Sequence, residues 1–86
     1  MMIDKIVELE NGKKYVMLDC KRINNITYYF GLRLDNNNEP TNNYLFFEEA
    51  KYGEDTYLSI VEDEKMKGLL LTTFTVNYLD KVYEEV

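Results

Sequence analysis

Between Ile3 and Leu34 apolar positions recur largely every second residue, whereas after Val61 they recur every third or fourth. Such a change of period separates strands from a helix. Ile3 to Leu9 reads as a first strand with Ile3, Val7 and Leu9 on one face, and Asn11-Gly12 supplies the positive φ of a tight hairpin turn. In Tyr15 to Ile23, Val16, Leu18 and Cys20 alternate against Tyr15, Met17 and Asp19, the pattern of a strand with one buried face. Asn24-Asn25 marks the second turn. Ile26 to Leu34 sets Ile26, Tyr28, Phe30, Leu32 and Leu34 opposite Thr27, Tyr29, Gly31 and Arg33, which predicts the central strand of a sheet. Asp35 to Asn43 is polar, holds the only Pro, and predicts a mobile surface loop. Tyr44 to Phe47 and Tyr57 to Val61 are two further short strands, separated by an acidic turn containing Gly53.

The longest apolar series lies in Val61 to Tyr83. Met66, Leu70, Phe74, Tyr78 and Val82 recur every fourth residue, with Leu69, Val76, Leu79 and Tyr83 beside them, which predicts an amphipathic helix from about Asp63 to Glu84. Asp63 suits the N-cap, and Asp63 and Glu64 place negative charge where the helix dipole favours it. Gly68 and the paired Thr72 and Thr73 weaken a helix interior, so burial must carry this one, with a bend expected near Thr72 to Thr75. Leu69 to Val76 also reads as a sixth strand, because it is rich in β-formers and follows Gly68. The expected fold is therefore α+β: a five-stranded antiparallel meander packed on one face by a C-terminal amphipathic helix, with Phe30 meeting Phe74 or Leu70. Six strands with a short C-terminal helix is the alternative.

Eighty-six residues allow a single domain, residues 1–86, with one modest core to which homodimerisation would add burial. No stretch approaches a membrane span and the first residues hold no apolar signal core, so the expected location is cytoplasmic. Cys20 is the only cysteine, which excludes an internal disulfide and predicts a buried, inert thiol. The chain has no His, so the usual base near neutral pH and the usual zinc ligand are both missing. Neighbouring carboxylates such as Glu48 and Glu49, or Glu54 and Asp55, point to opposite faces if they lie in a strand. No catalytic residues, metal ligands or cofactor are assigned.

Charge changes the picture more than composition does. The net charge of −6 arises wholly in the second half, where ten acids face four lysines after Asn43, against six acids and six bases before it. A pI near 4.5 argues against direct nucleic-acid binding, since the phosphate backbone would repel the chain. Tyr28 and Tyr29 read as one core ring and one surface ring, and the eight tyrosines together suit a half-buried sheet or a protein interface.

LENGKKYVMLD (Leu9 to Asp19), TYYFGLRL (Thr27 to Leu34), YLSIVEDE (Tyr57 to Glu64) and an apolar C-terminal helix resemble the small acidic proteins of low-GC bacteria and their phages grouped as domain of unknown function 1292. The resemblance implies a fold and a genomic setting, and no catalytic residues. An enzyme would need a constellation that the sequence does not offer. A housekeeping bacterial protein with a structural or regulatory interaction role is the alternative. The preferred expectation is a non-enzymatic acidic protein-binding module of phage or mobile-element origin, an anti-CRISPR candidate that blocks the basic nucleic-acid groove of a host defence protein. Glu48, Glu49, Glu54, Asp55, Glu62, Asp63 and Glu64 are its expected partner-binding residues.

Overall fold

Five strands follow one another across a single antiparallel sheet in the order of the sequence, and one helix packs on it. They are β1 (Ile6–Glu8), β2 (Lys14–Ile23), β3 (Ile26–Leu34), β4 (Pro40–Tyr52), β5 (Asp55–Ile60) and α1 (Glu64–Glu84). The computed structural model describes residues 3–84, with side chains described over 3–76. The expected α+β meander is what forms. Residues 69–76 lie inside α1, so the sixth strand is excluded.

Turn chemistry sets the hairpins. Asn24 and Asn25 both adopt positive φ, 51° and 67°, as a type I′ turn requires between β2 and β3. Between β4 and β5 Gly53 has φ 64° at the first position of a two-residue turn, the place where a type II′ turn needs glycine. The first strand is shorter than its pattern predicts, because Asp4 takes φ 64° and breaks the extended run before Ile6. The polar loop is shorter too. The Asp35 carboxylate accepts the N–H groups of Asn37 and Glu39 at 2.8 and 3.0 Å, which closes a compact turn and lets β4 start at Pro40. β4 consequently spans 13 residues, much longer than Tyr44 to Phe47.

A bulge between Met17 and Asp19 shifts the in–out alternation of β2 by one residue. Tyr15 and Met17 are buried and Leu18 is exposed, the reverse of the predicted alternation, and beyond the bulge Cys20 joins the side of Tyr15 and Met17. Tyr28 and Tyr29 are both core rings, one on each face of the sheet.

Two clusters result. Under α1, Tyr28, Phe46, Val61, Leu70 and Phe74 are buried, with Phe30 and Met66 against them. Phe30 meets Phe74 as expected, ring centroids 5.9 Å apart. Leu69 and Val76 point to solvent, so the buried stripe of α1 is narrower than predicted; Tyr78, Leu79, Val82 and Tyr83 lie outside the described side chains. On the opposite face Tyr15, Met17, Tyr29 and Phe47 form a second cluster, flanked by Val7, Leu9 and Leu58. The sheet curls toward this face, since residues near both of its margins pack on one centre.

Gly31 permits the close packing there. A Cβ at this position would lie 2.6 Å from the Phe47 ring and 2.9 Å from the Met17 methyl. Threonine hydroxyls in α1 fold back on the helix, Thr72 donating to the Gly68 carbonyl at 3.1 Å and Thr75 to that of Leu71 at 2.7 Å.

Candidate functional site

The meander keeps sequence order across the sheet, so the charge asymmetry of the chain becomes an asymmetry in space. Lys5, Lys13, Lys14, Lys21, Arg22 and Arg33 lie on or beside β1, β2 and β3. The seven acids predicted to bind a partner lie on β4, β5 and the start of α1.

Those seven do not form one array. Glu54 and Asp55 sit at the β4–β5 turn, while Glu62, Asp63 and Glu64 follow the far end of β5. Six strand residues rising about 3.4 Å each set the two groups roughly 17 Å apart or more. Glu48 and Glu49 point to opposite faces between them, as neighbours in a strand must.

Several of these acids are occupied by the fold. Glu49 accepts the Tyr29 hydroxyl at 2.7 Å and lies 3.9 Å from Lys51. Asp63 is the N-cap of α1, its carboxylate accepting the Met66 N–H at 2.8 Å. Glu64 lies in the first helical turn and pairs with Lys67 at 3.4 Å. Glu48 stands opposite Tyr28 in the ladder, and burial together with that carboxylate holds the Tyr28 hydroxyl above its ordinary value. Glu54, Asp55 and Glu62 are exposed, and Glu64, 88% exposed despite its pair with Lys67, stays open to a partner beside them.

Sequence reasoning missed an aromatic pair beside them. Tyr52 and Tyr57 flank the Gly53 turn, both exposed, with ring centroids 5.6 Å apart in an edge contact. Their spacing around a glycine turn was the available signal.

On the curled face a cavity of about 690 Å³ is lined by Lys5, Arg22, Lys51, Glu49, Tyr29 and Cys20 among others. Cys20 is half-buried at its wall. A smaller groove of about 320 Å³ runs between the sheet and α1 past Leu18, Phe30 and Phe74. Among the described residues no three of Cys, Asp and Glu converge closely enough to hold a metal ion. No described helix is long and apolar enough to cross a membrane. Comparison with protein-family models, curated proteins and solved structures finds no match to the chain.

Proposed function

We propose that the chain is a non-enzymatic, cytoplasmic protein-binding module whose β5 side docks on a basic, nucleic-acid-binding protein. The observation that carries this is the ordered meander, which sets Glu48, Glu49, Glu54, Asp55, Glu62, Asp63 and Glu64 on β4, β5 and the start of α1 rather than on β1 to β3. Exposed carboxylates at both ends of β5 can occupy a groove built for phosphates, which steers association and excludes nucleic acid by competition. A host defence protein such as a CRISPR effector offers such a groove, and a phage or mobile element is the setting that suits an inhibitor of it. The resemblance of Leu9 to Asp19 and Tyr57 to Glu64 to a family of small bacterial proteins supports a second reading, a housekeeping protein with a regulatory interaction role.

The test is a pull-down from host lysate at low salt, followed by competition with DNA or RNA. A basic partner should be retained, released by nucleic acid and lost as salt rises. If no basic partner is held, or nucleic acid fails to displace it, groove blocking is wrong. Expression from a chromosome that carries no phage would favour the housekeeping role.

A further inference from the structure

The outer edge of β5 pairs with no described strand, and the hairpin fixes which of its backbone groups face outward. A two-residue turn makes Tyr52 and Asp55 a hydrogen-bonded pair. The same phase appears at the other end, where the Val61 N–H donates to the Phe46 carbonyl at 2.8 Å. Alternation then turns the N–H and C=O groups of Tyr57 and Ser59 inward to β4 and those of Thr56, Leu58 and Ile60 outward.

Open edges in natural sheets are blunted by lysine, proline, a bulge or short length. β5 has six residues, no Lys or Pro, an unbroken register with β4, and Asp55 as its only charge. β1, at the other margin, is three residues long.

We infer that β5 accepts a sixth strand from its partner, an extended segment with Lys or Arg near both ends. Its backbone pairs with Thr56, Leu58 and Ile60, while its cations meet Glu54 and Asp55 at one end and Glu62 and Glu64 at the other. The inference rests on the acidic-module reading above and adds the backbone ladder that fixes the partner's register. A second copy of the chain fits worse. Antiparallel pairing of two β5 strands would set Glu54 and Asp55 of one copy against Glu62 and Glu64 of the other, acid facing acid. The exposed Tyr52 and Tyr57 rings add contact surface beside the edge.

The experiment is amide hydrogen exchange on the full chain at low salt, with a short capped peptide of alternating Lys and Val as the probe. Two comparison peptides are the same sequence N-methylated at every residue, which blocks both of its edges, and a Glu-Val version. The Lys-Val peptide should slow exchange at Thr56, Leu58 and Ile60 by roughly tenfold or more and leave the already paired Tyr57 and Ser59 unchanged. Neither comparison peptide should do so. Equal protection by the fully N-methylated peptide would overturn strand addition while leaving charge-driven docking intact. Equal protection by the Glu-Val peptide would overturn the basic character of the partner. If no peptide protects the edge, the inference fails, and the lysate pull-down decides the acidic-module reading on its own. Thr56→Pro supplies a second check, because its N–H faces outward and no ladder bond to β4 is lost. A folded Thr56→Pro chain that still protects Leu58 and Ile60 as the parent does would also count against the inference.

Discussion

Under α1, Phe46 and Phe74 stack with ring centroids 5.9 Å apart and 8° between their planes, and Phe30 closes the group from β3. On the curled face Met17 and Phe47 are fully buried although the described helix packs on the other side. The first cluster is roofed by a separate element, and the second by the sheet itself. A bulge in β2, the missing side chain at Gly31 and residues from both margins let a small sheet enclose apolar groups on its curled side. A chain of 86 residues thus has two buried centres where a single amphipathic reading predicts one. The margin of the sheet at β5 is left as the accessible, charged side.

Removing the centre of the curled face should have the largest effect. Phe47→Ala is expected to cost about 3 to 5 kcal/mol in urea unfolding, comparable with the whole stability of a small domain. Phe30 is only half-buried, so Phe30→Ala should cost less than the roughly 3 kcal/mol at the lower end of that range. A larger loss at Phe30 than at Phe47 would mean that the helix-covered cluster alone holds the fold.

Gly31→Ala probes the closeness of the same packing. The added methyl meets the Phe47 ring and the Met17 methyl, and a loss of about 1 to 3 kcal/mol is expected from overpacking. An unchanged melting temperature would show that the curled face has room to spare.

Tyr29→Phe keeps the ring and removes the donor to Glu49. A hydrogen bond to a charged, largely buried acceptor implies a loss of about 1.5 kcal/mol, and Glu49→Gln should recover part of it in a double-mutant cycle. Additive single losses would show that the two side chains act independently.

The smallest effect belongs to the other face and to alkaline solution. The Tyr28 hydroxyl holds its proton more tightly in the folded chain than in the unfolded one, by burial first and the Glu48 charge second. Its contribution is fully present below the unfolded value near 10 and is lost as pH rises through the higher folded value. Urea midpoints measured against pH should therefore fall in that window, and Tyr28→Phe should flatten this part of the curve. A decline that persists unchanged in Tyr28→Phe would assign it to other groups.

Most of the meander is legible in the sequence because its turns carry specific chemistry. Asn24-Asn25 and Gly53 announce their conformations, and Asp63 announces the start of α1. The second buried face is not legible, because the Met17–Asp19 bulge inserts one residue and reverses the side to which a strict alternation points. The extension of β4 back to Pro40 is hidden by composition, since Pro40, Thr41, Asn42 and Asn43 read as loop residues and are held in the strand by tertiary pairing. Thr41 donates to the Arg33 carbonyl at 2.9 Å across that pairing. Of the candidate site, the acidic character was plain from residue counts. Its division into two groups along an open edge follows from strand pairing, which a list of carboxylates does not contain.

The most direct measurement of the proposed binding side is the affinity of a partner retained at low salt for two charge-reversed chains. One carries Glu54→Lys with Glu62→Lys at the two ends of β5, and the other carries Glu8→Lys with Glu10→Lys at the end of β1. Asp63 is left intact in both, because its cap on α1 would confound binding with unfolding. The β5-side reversal should weaken binding by roughly tenfold or more, about 1.4 kcal/mol, and the β1-side reversal should leave it unchanged. Equal losses in the two chains, or full affinity after the β5-side reversal, would contradict docking through the acidic margin.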